Sequence, residues 1–162
     1  MKNTTFLLLG TNLGDRKKNL AIARNSIELM VGVIKKASSI YETAAWGKSD
    51  QPDFLNQAVE VETELSPKQV LKEILDVEKN MGRVRTSKWS ERLIDIDILL
   101  YNDLVINSNE LIVPHPQLPS RRFALAPLSE IAPQFVHPLL YVTIKALLEQ
   151  CPDGLDVAVV GE

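Results

Sequence analysis

The order of apolar segments in this chain predicts an α+β fold, a ferredoxin-like βαββαβ sandwich with a C-terminal extension. Three observations carry that expectation. An unbroken apolar run opens the chain, two later stretches repeat apolar residues at helical spacing, and the segments between them alternate apolar and charged side chains.

Residues 4–9 (TTFLLL) read as a buried strand, broken by Gly10-Thr11-Asn12-Leu13-Gly14. Asp15 can cap the helix that follows, in which Leu20, Ala23, Ile27, Met30 and Val31 recur at helical spacing before Gly32 stops it. Residues 33–43 and 54–63 are rich in β-branched and apolar residues, and Val59 and Val61 alternate with Glu60 and Glu62; they read as two strands joined by a loop. Ser66-Pro67 starts a second helix with a capping hydroxyl and a first-turn proline, with Val70, Leu71, Ile74, Val77 and Met81 on one face and Gly82 as its end. A polar, basic connector over 83–92 leads into a strand at 93–101. Beyond Tyr101 the chain offers short extended pieces, a segment rich in proline (Pro114, Pro116, Pro119), and a helix at about 143–150. The last dozen residues have no readable pattern.

A length of 162 residues with 45% hydrophobic content fits one domain, 1–162, and no repeat or linker divides it. No apolar run approaches the ~20 residues of a membrane helix, and the N-terminus lacks the features of a signal peptide. A cytoplasmic protein without membrane contact is therefore expected. The single cysteine, Cys151, excludes an internal disulfide and a Cys-rich zinc site, and reads as a small apolar residue. Net charge is −3, so a nucleic-acid partner is not expected and phosphate chemistry must rest on local cationic clusters. The expected assembly is a monomer.

The strongest local signal is Leu93-Ile94-Asp95-Ile96-Asp97-Ile98-Leu99-Leu100. Residues two apart on a strand share a face about 7 Å apart, so Asp95 and Asp97 stand together while Ile94, Ile96 and Ile98 face the helices. Two like charges this close favour a cation between them. Magnesium, which takes few protein oxygens and fills its shell with water and substrate phosphates, suits the pair. A solvated strand face is the competing reading for an isolated Asp-x-Asp. The connector Gly82-Arg83-Val84-Arg85-Thr86-Ser87-Lys88-Trp89-Ser90-Glu91-Arg92 brings four cationic side chains to the same strand, an arrangement suited to a polyphosphate. Trp89 argues against a merely solvated loop, because a large ring normally covers something.

Pro114-His115-Pro116, followed by Arg121, Arg122 and Phe123, forms a second cluster of phosphate-capable donors with a ring. His137, before Pro138, reads as structural. The turn at 10–15 lacks the Gly-Lys-Ser/Thr ending of a P-loop and reads as a strand-to-helix connection. Tyr41-Glu42-Thr43-Ala44-Ala45-Trp46-Gly47 and Gln51-Pro52-Asp53-Phe54-Leu55-Asn56 flank the loop between the second and third strands. Flat rings beside Thr and Asn groups suit a planar heterocycle.

Together these segments resemble the 6-hydroxymethyl-7,8-dihydropterin pyrophosphokinase family of the folate pathway. GTNLGD at 10–15 is similar to that family's Gly-Ser-Asn-Leu-Gly-Asp. YETAAWG and QPDFLN resemble its pterin-side loop. GRVR at 82–85, Trp89-x-x-Arg92 and DIDILLY at 95–101 resemble its catalytic loop and metal strand, and VPHP at 113–116, Arg121 with Phe123, and PLSEIAP at 127–133 complete the series. The resemblance runs in order over residues 10–138.

That resemblance implies transfer of pyrophosphate from ATP to hydroxymethyl-dihydropterin, with AMP leaving. It implies that Asp95 and Asp97 hold two magnesium ions; that Arg83, Arg85, Lys88, Arg92, His115 and Arg121 contact the phosphates, with Arg83 and Arg92 acting on the transition state; and that Ile98 contacts ATP. Phe54 and Phe123 would sandwich the pterin, Asn56, Thr43, Ala44 and Trp46 would line its edge, and Trp89 would close over it. The connector at 83–92 is expected to be mobile without ligand and to close over both substrates. This chain departs from the family's Trp-Gly-Pro-Arg with Trp89-Ser90-Glu91-Arg92, and from its Thr-Pro-Pro with Thr43-Ala44-Ala45. A different two-metal phosphotransferase and a ferredoxin-like RNA-binding module are the alternatives; magnesium-dependent ATP binding separates the second from the enzyme.

Overall fold

Capping residues set the first two helices that the sequence predicts. The computed structural model describes residues 2–43, 53–82, 93–154 and 156–160. Helix α1 (Arg16–Met30) begins where the Asp15 carboxylate accepts the Lys18 N–H at 3.2 Å. Helix α2 (Pro67–Asn80) begins with a reciprocal box: Ser66 Oγ accepts the Gln69 N–H at 3.3 Å, and Gln69 Oε1 accepts the Ser66 N–H at 2.8 Å. Gly82 follows it at φ 84°, a conformation glycine adopts without cost. Gly32 acts differently. A β-carbon there would lie 2.1 Å from the Glu62 carbonyl oxygen, so the second residue after α1 must be small because the strand Phe54–Thr63 passes beside it.

The strands are β1 (Asn3–Thr11), β2 (Val33–Ala37), β3 (Ile40–Thr43), β4 (Phe54–Thr63) and β5 (Asp95–Tyr101), joined by a C-terminal β8 (Val157–Val160). They form one sheet in the order β5-β1-β4-β3-β8, with β2 also on β4 and each of these pairings antiparallel. A separate hairpin pairs β6 (Ile106–Asn107) with β7 (Ile112–Val113).

The α+β sandwich is as predicted, with three differences. The strand expected over 33–43 is two strands, because Ser38 interrupts the ladder: its N–H donates to the Ala58 carbonyl at 2.9 Å while its hydroxyl accepts the Ala58 N–H at 3.0 Å. The chain beyond Tyr101 contains a helix the sequence did not suggest, α3 (Arg122–Ile131). It carries Pro127 in its interior and has no side-chain cap at Arg121. Finally, both faces of the sheet are covered. Leu7, Leu9, Val59, Val61, Ile96 and Ile98 pack on α1 and α2, while Phe6, Leu8, Ala58, Leu99 and Leu100 pack on α3 and α4 (Ile144–Gln150). This accounts for the unbroken apolar run in β1, which meets a core on each side. Thr143 caps α4 by accepting the Ala146 N–H at 3.1 Å, close to the predicted start. Cys151 is buried in the second core, as expected of a small apolar residue. Among the described residues no helix is long and apolar enough to cross a membrane.

Candidate active site

Residues directly opposite in antiparallel strands project to one face. Gly10 in β1 is paired with Asp95 on one side and Asn56 on the other, and Asn56 is paired with Tyr41. Two residues along β1, Leu8 is paired with Asp97 and Ala58. Asp95, Asp97, Asn56 and, by alternation, Phe54 therefore share the face on which α3 and α4 pack; Thr43, the partner of Phe54, joins them. The isoleucines between and beside the aspartates enter the opposite core. The expectation that period-two spacing puts the carboxylates together holds, on a face that is itself covered further along.

At this end of the sheet Asp95, Asp97 and Phe54 are half-buried, whereas Asn56 and Thr43 are buried. The Thr43 hydroxyl is a buried polar atom with no hydrogen-bond partner among the described residues. A buried hydroxyl of this kind is a bond that a ligand's edge can fill. Helix α3 packs across β3 and β4, with Phe123 as its second residue. The Arg121 guanidinium lies 5.5 Å from the centre of the Phe123 ring.

His115 is fastened to β5 by its backbone N–H, which donates to the Leu99 carbonyl at 3.0 Å. Its Nδ1 accepts the Gln117 N–H at 3.1 Å, leaving Nε2 as the ring donor. Burial lowers the His115 pKa from its ordinary value; the Asp97 charge opposes that shift and Arg121 adds to it. The three groups thus form one electrostatic cluster, and the structure brings together the predicted Asp97, His115 and Arg121. A cleft of about 290 Å³ opens beside Asp97 and His115 between α2 and the β6–β7 turn, lined by Leu71, Ile74, Ile98, Leu111 and Ile112 with Ser108 and Glu110. Ile98 belongs at once to the core and to the wall of this cleft.

The structure adds Glu78, which the sequence reading passed over. It is 5% exposed, and its Oε2 accepts the backbone N–H of Ile96, the residue between the two aspartates, at 2.7 Å. The available signal was a glutamate four residues beyond Ile74 on the apolar face of α2. His137 is buried, and its Nδ1 accepts the Leu139 and Leu140 N–H groups at 3.2 and 3.1 Å, which agrees with its structural reading.

Arg83, Arg85, Lys88, Trp89 and Arg92, with the connector expected to move, lie outside the described residues, as do Ala44 and Trp46. Among the described residues no group of three or more His, Cys, Asp or Glu side chains could hold a metal ion. The donor set of Asp95 and Asp97 fits magnesium: two adjacent half-buried carboxylates leave most of a cation's shell to water and phosphate oxygens.

Residues 6–133 match the family model described as 7,8-dihydro-6-hydroxymethylpterin-pyrophosphokinase (HPPK). The chain is 44% identical over 142 residues to the 2-amino-4-hydroxy-6-hydroxymethyldihydropteridine pyrophosphokinase of Aquifex aeolicus, covering 88% of each protein. It is 40% identical over 152 residues to the folic acid synthesis protein FOL1 of Dictyostelium discoideum, covering 94% of this chain and 23% of that protein. The fold is similar to that of a Plasmodium falciparum HPPK-DHPS crystal structure, with a TM-score of 0.76 at 20% identity, covering 93% of this chain and 43% of the other. The chain therefore belongs to the 7,8-dihydro-6-hydroxymethylpterin-pyrophosphokinase family, ATP-dependent diphosphokinases of folate biosynthesis that pass pyrophosphate from ATP to hydroxymethyldihydropterin.

Proposed function

We propose that this chain performs the family's reaction on the sheet face shared by Asp95, Asp97, Asn56, Phe54 and Thr43. The observation that carries the reading is the register Asp95–Gly10–Asn56, which sets a carboxylate and an amide on either side of a residue without a side chain. Asp95 and Asp97 would hold two magnesium ions, which when bound neutralise phosphate oxygens of ATP. His115 donates through Nε2 and Arg121 through its guanidinium to the same phosphates. The apolar cleft walled by Ile74, Ile98 and Ile112 takes the adenine ring. Phe54 and Phe123 stack on the pterin, and the Asn56 amide and Thr43 hydroxyl bond to its edge.

The pterin hydroxymethyl oxygen forms its bond to the β-phosphorus as the bond from that phosphorus to the α-phosphate oxygen breaks, and AMP leaves with the electron pair. In this reading Asp97 takes the hydroxyl proton. Positioning and charge neutralisation supply most of the rate. By sequence alone, Arg83, Arg85, Lys88 and Arg92 are assigned to the phosphates, Trp89 to closure over the site, and Ala44 and Trp46 to the pterin side. The working unit is taken to be one monomeric domain in the cytosol.

The test is to incubate the protein with ATP, magnesium and hydroxymethyldihydropterin. AMP and the pterin diphosphate should form in equal amounts. ADP as the nucleotide product, or AMP release that does not depend on the pterin, overturns the reading.

A further inference from the structure

The backbone segments carrying the proposed pterin groups meet at one point of the sheet. Strand β3 ends at Thr43, β4 begins at Phe54, and these two residues are register partners. Phe54 is held on one side only, because the pairing of β1 with β4 ends at Thr11 and Leu55. The ladder between β3 and β4 consists of Tyr41 with Asn56, Glu42 with Leu55, and Thr43 with Phe54. Among the described residues Thr43–Phe54 is the last pair of this short ladder, where a tie between the flanking residues has most effect.

One side chain from a third element spans this end. Arg16 Nη1 donates to the Glu42 carboxylate at 2.9 Å and to the Asp53 backbone carbonyl at 2.7 Å. Glu42 immediately precedes Thr43, and Asp53 immediately precedes Phe54. Arg16 is the first residue of α1, so its base is fixed by the Asp15 cap and by Asn19, whose carboxamide donates to the Thr11 hydroxyl at 3.2 Å and the Leu13 carbonyl at 2.7 Å. The Arg16 and Glu42 side chains are 30% and 37% exposed. A lone ion pair of that exposure contributes little to stability. The second bond, to the main-chain carbonyl of Asp53 just before β4, is what makes this contact more than a surface pair.

We propose that Arg16 is a positioning residue for the dihydropterin. It sets the separation and tilt of Thr43 and Phe54 by tying together the residues before them, and it does not touch the substrate. The inference rests on the assignment of Thr43 and Phe54 to the pterin. It assigns the arginine after the GTNLGD turn to the acceptor substrate, on the β3–β4 side of the sheet, across β1 from the nucleotide cleft at the outer edge of β5.

The experiment compares the wild type with Arg16→Ala, Arg16→Lys, Glu42→Gln and the Arg16→Ala/Glu42→Gln double variant, reading kcat and KM for each substrate. For Arg16→Ala the KM for hydroxymethyldihydropterin should rise about tenfold, the equivalent of one charge-assisted hydrogen bond. The KM for ATP and kcat should stay as in the wild type. Arg16→Lys should recover part of the loss, Glu42→Gln should lose less than Arg16→Ala, and the double variant should be no worse than Arg16→Ala because both act through one contact. An unchanged pterin KM in Arg16→Ala, or equal losses for both substrates, overturns the proposal. If Arg16→Ala does not fold, Arg16→Lys and Glu42→Gln carry the same split. Phe123→Ala and Asn56→Ala are run in parallel. If these also leave the pterin KM unchanged, the assignment of the pterin face itself fails; if they raise it and the Arg16 variants do not, only the role of Arg16 falls.

Discussion

A β-carbon added to Gly10 would stand 2.8 Å from the side-chain oxygen of Asn56. Glycine at this position thus makes room for a buried amide on the neighbouring strand, and the space is needed because Asn56 and Asp95 flank it on either side. Gly10→Ala should keep the fold, since the obstructing atom ends a side chain rather than a backbone. The displaced amide should raise the KM for the pterin about tenfold, in line with overpacking costs of 1–3 kcal/mol. Steady-state kinetics and a thermal melt check this; an unchanged pterin KM would show that Asn56 does not read the substrate from its present position.

Glu78 buries a carboxylate to hold the N–H of Ile96, the residue between the two aspartates. Glu78→Ala leaves that N–H without its acceptor and should cost about 1–3 kcal/mol of stability. Turnover should fall with it, because the strand that aims Asp95 and Asp97 loses its tether. Glu78→Gln keeps an acceptor oxygen and should retain most of the stability. Urea unfolding and AMP release measure the two effects, and a Glu78→Ala protein with wild-type stability and turnover would contradict this role.

Much of this architecture is legible in the sequence because its signals are local. Asp15 and Ser66-Pro67 act within one helical turn, and the period-two alternation of 94–98 places the carboxylates without knowledge of any partner strand. The remainder depends on contacts across the fold. Ser38 breaks a strand only because Ala58 lies opposite to exchange bonds with it. Helix α3 forms around Pro127 because Ala124, Leu125, Leu128 and Ile131 bury against the second face of the sheet. Val157–Val160 is a strand because β3 offers it an edge. The candidate site divides in the same way. Its residue types and spacing are visible in the chain, whereas the shared face of Asp95 and Asn56 follows from register, and Glu78 and Arg16 act through partners 18 and at least 26 residues away.

His137 should make stability sensitive to mild acid. Burial lowers its pKa from the ordinary 6.5, and its neutral Nδ1 accepts two turn N–H groups. The unfolded chain takes up the proton near pH 6.5 while the folded protein resists it, so the contribution is whole above that pH and is lost as pH falls toward the lowered folded value. His115, also lowered by burial, acts in the same direction. Melting temperature should therefore drop between about pH 7 and about pH 5, and His137→Asn, which preserves an acceptor without the titration, should flatten part of that slope. An equally steep slope in the variant would contradict the assignment.

Magnesium-dependent transfer on this sheet face depends most directly on Asp95 and Asp97. The decisive measurement is the rate of AMP formation from ATP and hydroxymethyldihydropterin by the wild type, Asp95→Asn and Asp97→Asn across a magnesium series extending to limiting concentrations. Each substitution keeps the shape of the side chain while removing the charge that holds the cation. Turnover should fall by at least about a hundredfold in both, with unfolding curves unchanged. Near-normal rates in both variants at limiting magnesium would contradict the central claim that these two carboxylates hold the metal on which transfer depends.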